Sequence, residues 1–259
     1  MPAIHETAIV SPAAELADSV TVGAYSIIES GVKIGADSEI GPHCVIRSGT
    51  EMGEQNHIYQ FCSIGEDPQD KKYAGEETRL VIGNGNTIRE FCTLNRGTAQ
   101  DKGDTTLGDN NWLMAYVHIA HDCVVGNETI FANNVTLAGH VTVDDYVIWG
   151  GFSGAHQFVR VGAHAFIANN AGVSRDVPPY IMASGQPASP RGINSEGLKR
   201  RGFDAQQLKN IKAAFRMLYR SGMRLEEACE QILDIAKEQP ELEIFGDFLA
   251  KVATRSIVR

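Results

Sequence analysis

The chain has 259 residues and carries 23 Lys and Arg against 32 Asp and Glu, a formal net charge of −9. That balance argues against a nucleic-acid-binding surface over the molecule as a whole. No run approaches the ~18 uninterrupted apolar residues that a membrane helix needs, and the opening MPAIHETAIV lacks the basic stretch and apolar core of a secretory signal.

A repeat begins at once. Every sixth residue from Ile4 is aliphatic or Met: Ile4, Val10, Leu16, Val22, Ile28, Ile34, Ile40, Ile46, Met52, Ile58 and Ile64. Small side chains often stand two places earlier, among them Ala8, Ser26, Ser38 and Cys44, and Gly often follows directly, as at Gly23, Gly35, Gly41, Gly53 and Gly65. Neither a helix nor an alternating strand has a period of six. A hexapeptide repeat does, and it is a signature of the parallel β-helix. Each hexad forms one flat side, and three sides make a coil of about 18 residues. The large apolar residue and the small one before it point inward, and the glycines are expected at turns needing φ > 0.

The phase returns at Ile82, Ile88 and Leu94, slips by one, and resumes from Leu107 through Ile119, Val125, Leu137, Trp149 and Ala155 to Val173. Two polar stretches leave it: residues 66–79 (EDPQDKKYAGEETR) and 100–105. Such excursions protrude and often carry function. From Pro187 the pattern is helical, with Asp204 and Gln207 as a capping box, Ala214, Met217, Leu218 and Gly222 at helical spacing, and further helices over 225–237 and 242–253. The expected organisation is a repeat domain over residues 1–186 and a C-terminal α-helical domain over 187–259 that covers the open end of the solenoid.

Charge is uneven along this plan. Residues 1–190 hold 10 basic and 22 acidic side chains (net −12), whereas residues 191–225 hold nine basic and two acidic (net +7), which predicts a local anionic partner. The five cysteines form an odd set without CxxC, as in a reducing cytoplasm. Cys44, Cys62, Cys92 and Cys123 fall in the small inward slot and read as core filler.

Between 107 and 173, residues 18 apart should stack. His121 then lies under Gly139, Asp122 under His140, and Ala138 under His156, so three histidines cluster on one edge outside the inward slots and are expected to line an outer surface. His5, His43, His57 and His164 read as ordinary surface histidines. Trp112, Ile130, Ile148 and Phe166 form a second column that points outward, an apolar stripe too large to leave wet. Packing around a threefold axis would cover it, which predicts a homotrimer.

The prism together with QDKKYAG, MAYVHIAHDCVVGN, LAGHVTVDD, GAHQF and NSEGLKRRGF, in this order and spacing, resembles the UDP-N-acetylglucosamine O-acyltransferases over essentially the whole chain. The resemblance implies a mainly β fold, a left-handed parallel β-helix of hexapeptide repeats with C-terminal helices. It implies transfer of an (R)-3-hydroxyacyl group from acyl carrier protein to the sugar 3-hydroxyl of UDP-N-acetylglucosamine, opening lipid A synthesis in the cytoplasm without a cofactor. His121 would be the general base, Asp122 its orienting partner and Gly139 the oxyanion donor. His118, His140, His156 and Gln157 would contact substrate. Asp70 and Lys72 would hold the glucosamine and nucleotide portions, and Asn194, Glu196, Arg200 and Arg201 the nucleotide and phosphates. The basic 191–225 stretch would meet the acidic carrier protein.

Two positions depart from the family pattern. Asn95 stands where relatives often have His, and Asn169 falls at the acyl-length position, where a side chain would shorten the groove relative to glycine. A γ-type zinc carbonic anhydrase shares the prism and trimer and is the alternative, with His118, His121 and His140 as ligands.

Overall fold

The computed structural model describes residues 1–252 and 257–259. Its strands form three parallel sheets that are the faces of a triangular prism, a left-handed parallel β-helix. The chain visits the faces in rotation: Thr21–Val22 lies on the first face, Ile27–Ile28 on the second and Lys33–Ile34 on the third. Most strands are two residues long because each hexad spends the rest of its length turning a corner.

Stacking follows the expected register. His118 pairs with Thr136, and Thr136 with Gly154, steps of 18 residues. Two steps are longer. Ser63 pairs with Thr93, a step of 30, and Thr93 with His118, a step of 25, so excursions of 12 and seven extra residues leave the stack and return without disturbing it. The repeat positions are buried from Val22 onward, and the small inward slots carry Ser26, Ser38, Cys44, Thr50, Asn56 and Cys62. All five cysteines are unpaired thiols, and burial pushes Cys123 up to about 12, as suits core filler.

The turn chemistry differs from expectation. Of the five repeat glycines quoted above, only Gly65 has a positive φ. A Cβ on Gly23 would lie 2.7 Å from Pro42 N and one on Gly35 would lie 2.6 Å from Gly53 C, so these glycines exist to let adjacent coils approach. The left-handed residue comes two places later, and it is mostly not glycine: Tyr25, His43, Phe61, Asp122, His140, Phe158 and His164 all have φ between +57° and +65°. That conformation costs an L residue about 1–2 kcal/mol. Hydrogen bonds to the coil below hold it, as in His43 N to Ala24 O (2.9 Å) and His140 N to His121 O (3.0 Å). Rings stack up one corner as well, in the series Tyr25, His43, Phe61, Phe91 and Tyr116.

At the C-terminal end, Ile181–Ser184 joins the first face and pairs antiparallel with Ser189–Ile193, so strand structure continues past residue 186. Among the described residues four α-helices follow, α1 (Ser195–Arg200), α2 (Ala205–Arg220), α3 (Leu225–Ala236) and α4 (Glu243–Val252), with a 3-10 turn over Pro240–Leu242 before the last. Asp204 and Gln207 form the expected capping box, whereas Gly222 lies past the end of α2 rather than on its face. Ala253, the last residue of the expected final helix, lies outside the described residues. The helices cap the last coils: Tyr180 donates from its hydroxyl to Glu241 O (2.6 Å), and Arg160 lies over the Phe248 ring.

Candidate active site

His121 and Asp122 occupy the corner between the second and third faces, directly after the strand His118–Ile119. The left-handed conformation of Asp122 (φ +59°) turns its carboxylate back toward its neighbour, and His121 Nδ1 lies 2.7 Å from Asp122 Oδ2. A carboxylate only accepts, so Nδ1 donates and Nε2 keeps the lone pair. One coil above stands Gly139. A Cβ there would meet His121 Cε1 at 2.5 Å and Nε2 at 2.7 Å, so glycine is required by the ring beneath it. Among the described residues, Gly139 N–H makes no hydrogen bond. The Nε2 lone pair therefore lies beside the Gly139 backbone, whose N–H is not used elsewhere among the described residues.

The expectation that these histidines line an open surface is corrected for His121, which is only 5 % exposed. The second excursion covers it. This excursion begins at Arg96, where the preceding strand ends at Asn95, and not at residue 100. Thr98 donates from its backbone N–H to Asp122 Oδ1 (2.8 Å) and from its hydroxyl to Oδ2 (2.7 Å), and Thr105 Oγ1 accepts from Asp122 N (2.8 Å). Asp101 accepts from His140 Nδ1 at 2.8 Å. Thr98, Asp101 and Thr105 are not among the site residues expected from the sequence: Asp101 and Thr105 fall in the polar stretch 100–105 that the sequence marks, Thr105 on the strand Asp104–Leu107, whereas Thr98 lies before that stretch.

Other expected residues share this edge. His118 pairs with Thr93 Oγ1 (2.7 Å), and burial, then the neighbouring His121, hold its imidazole below the usual range. His140 meets His121 edge to face and stacks on Phe158. His156 and Gln157 are exposed one coil higher, Gln157 in the column of His121 and Gly139. Asp70 and Lys72 lie on the first excursion, which leaves this same edge after Ser63–Glu66. Asn95 donates to Asp67 O (2.8 Å), and the buried Arg96 binds Gly65 O, the Asp67 carboxylate and the Tyr73 hydroxyl, so both residues tie the first excursion down. A cavity of about 560 Å³ between the excursions is lined by Ser48, Tyr73, Thr78, Arg79, Arg96 and Lys102; His121 is not on its wall.

The remaining residues are elsewhere in the single chain. Asn194 caps α1 by accepting from Gly197 N and donates to His164 O (3.0 Å), and Arg201 lies 4.1 Å over the Tyr146 ring. Both contacts belong to the corner between the third and first faces. Glu196 pairs with Lys199 (2.8 Å) on α1, beside Arg200. Asn169 is exposed at the corner between the first and second faces. His164 is also corrected: it is no surface histidine but is stacked between Tyr146 and Tyr180.

The metal alternative gains no support from the donor set. Among the described residues, one group brings its ligand atoms within 4.8 Å of one another, and it is His121, Asp122 and His140, without His118. Both oxygens of Asp122 already accept from Thr98, and Oδ2 from His121 as well.

Comparison with known proteins agrees with this fold. The bacterial transferase hexapeptide profile matches residues 13–48 and 104–139, and the profile described as UDP-N-acetylglucosamine O-acyltransferase, domain 2, matches residues 176–258. The chain is 56 % identical to the acyl-[acyl-carrier-protein]–UDP-N-acetylglucosamine O-acyltransferase of Thiobacillus denitrificans over 100 % of both chains, and 56 % identical to that of Neisseria gonorrhoeae over the same full coverage. Among solved structures, the Francisella novicida UDP-N-acetylglucosamine acyltransferase superposes with a TM-score of 0.96 at 45 % identity, covering 99 % of this chain and 94 % of that one. These matches do not favour a carbonic anhydrase. The chain belongs to the UDP-N-acetylglucosamine O-acyltransferase family.

Proposed function

We propose that the protein transfers an (R)-3-hydroxyacyl group from acyl carrier protein to the 3-hydroxyl of UDP-N-acetylglucosamine, the first step of lipid A synthesis. The observation that carries this reading is the His121–Asp122 pair lying under the Gly139 amide. A sugar hydroxyl is a weak nucleophile at neutral pH, and His121 Nε2 removes its proton as the oxygen attacks the thioester carbonyl. The carbonyl oxygen becomes an oxyanion that Gly139 N–H stabilises. Collapse breaks the carbon–sulfur bond, and the imidazolium returns its proton to the departing thiolate. Asp122 fixes the tautomer throughout.

His118, His140, His156 and Gln157 bind substrate along the same edge. Asp70 and Lys72 bind the glucosamine and nucleotide portions from the first excursion. Asn194, Glu196, Arg200 and Arg201 bind the nucleotide and phosphates, with the planar donors of Arg suited to phosphate. These four and Asn169 lie away from the His121 corner, so a complete site needs a neighbouring copy. That requirement, with the stripe of Trp112, Ile130, Ile148 and Phe166 in register on the first face, supports a homotrimer whose clefts hold the substrates. Residues 1–186 form the repeat domain, and the basic part of residues 187–259 receives the carrier protein. The chemistry needs no cofactor beyond the acyl thioester. No described helix is long and apolar enough to cross a membrane. A cytoplasmic location is part of this proposal.

The test is to supply the purified protein with (R)-3-hydroxyacyl carrier-protein thioesters of graded length and UDP-N-acetylglucosamine. O-acylated sugar nucleotide is expected, with one length preferred and activity retained after chelation. No transfer from any thioester would refute the reading.

A further inference from the structure

We infer that Thr98 is a positioning residue for acyl transfer: its hydroxyl and backbone N–H hold the Asp122 carboxylate in the orientation from which it accepts from His121 Nδ1. This rests on the reading of His121 as the base.

The backbone of Asp122 is well anchored by its corner conformation and by the bond from its N–H to Thr105 Oγ1. Apart from His121, its own coil offers the side chain no hydrogen bond among the described residues. Both oxygens are engaged from one residue, Oδ1 by Thr98 N and Oδ2 by Thr98 Oγ1, and two anchors on two oxygens fix the carboxylate plane as well as its position. Oδ2 is also the oxygen that meets His121. The hydroxyl and the imidazole therefore converge on one atom, buried with Thr98 beneath the excursion.

Thr98 divides its two duties cleanly. Its carbonyl closes the excursion by accepting from Asp101 N (3.2 Å) and Gly103 N (3.1 Å), so the loop-building role belongs to the backbone. Its hydroxyl serves Asp122 alone. The far end of the excursion is fixed independently, by Asp101 on His140 Nδ1. Loss of the hydroxyl should leave the loop in place and release one carboxylate oxygen. A carboxylate that is free to rotate leaves His121 without a fixed tautomer partner.

The experiment compares Thr98→Val, which keeps the shape and the backbone bonds, with Thr98→Ser, which keeps the hydroxyl. In the valine variant kcat is expected to fall about 10- to 100-fold, the loss from removing one hydrogen bond to a charged group. KM for both substrates should be nearly unchanged, and serine should restore most of the rate. In proton NMR of histidine-labelled protein, the low-field Nδ1–H signal of His121, assigned by its absence in His121→Ala, should shift or broaden in Thr98→Val and recover in Thr98→Ser. If the valine variant does not fold, Thr98→Ala takes its place. Wild-type kcat and an unmoved signal in the variant without a hydroxyl overturn the inference, as does equal impairment by valine and serine. The NMR arm reads the Thr98–Asp122–His121 coupling without any acyl transfer. A His121→Ala variant that keeps its activity would therefore sink the base assignment, and the signal would still decide the role of Thr98.

Discussion

Gly139 lies so close to the imidazole of His121 that a methyl group on its Cα would lie 2.5 Å from the ring. The ring cannot retreat cheaply, because its other side is tied to Asp122 at 2.7 Å. Gly139→Ala should therefore displace the ring while leaving the prism intact, since the backbone at this position has no left-handed requirement. A misplacement of about 1 Å costs about 10²-fold in rate. Steady-state kinetics with a melting curve checks it: near-wild-type turnover in a folded variant would show that the two groups do not act together.

Removing the imidazole is a sharper change. His121→Ala should lower kcat by roughly 10²- to 10⁴-fold, the range for loss of a positioned base. Asp122→Asn should lower it less, because the amide still occupies the site but offers His121 a donor as readily as an acceptor. Circular dichroism should show both variants folded. Retained turnover in His121→Ala would remove His121 as the general base.

The division of site residues between corners gives a test of assembly. His121→Ala and Arg201→Ala should each be inactive in a homotrimer. After equal mixing and subunit exchange, roughly a quarter of the clefts should pair an intact His121 from one copy with an intact Arg201 from another. Activity should then return to that fraction of wild type. A mixture that stays inactive while mass analysis shows exchanged trimers would mean that each chain builds its site alone.

The apolar stripe can be broken directly. Ile148→Asp places a charge in the middle of the column Trp112, Ile130, Ile148 and Phe166. Burying a lone carboxylate in an interface is prohibitive, so sedimentation should report monomers at concentrations where the wild type is trimeric. Unchanged trimers would remove the first face from the interface.

His164 supplies a pH dependence of stability. Burial, then the charge of Arg201, push its imidazole down to about 4, with Asp145 opposing. The unfolded chain binds this proton from about pH 6.5, so the neutral ring contributes stability above that point. The contribution is lost as pH falls from about 6.5 toward 4, on the order of 2 kcal/mol after solvent screening. His164→Phe keeps the stack between Tyr146 and Tyr180 without the titration. Urea unfolding at pH 7 and pH 4.5 should show a smaller loss in the variant; equal losses would contradict the assignment.

The sequence made the prism legible because a period of six leaves one inward large residue per side, and 67 unbroken residues from 107 to 173 turn spacing into height. The stacking of Gly139 over His121 and the outward stripe follow from that arithmetic. Two things did not. The repeat glycines read as left-handed turns because their need for close approach between coils involves another coil, which the local sequence does not show. The cover over His121 was missed because an excursion has no period: nothing in RGTAQDKGDT marks Thr98 as the residue that meets Asp122 one coil away.

The register jumps have a consequence for how such a molecule tolerates change. A stretch of chain may leave a corner and return with any whole length, and every residue above it keeps its height and its side of the triangle. Loss of one residue inside a hexad is different: it would bring inward-facing isoleucines to the corners and send polar corner residues into the interior for every storey that follows. Lengthening or trimming therefore leaves the stack intact where the chain already juts out and ruins it within the walls, so new recognition can be grafted onto the edges while the catalytic storey stays at its address.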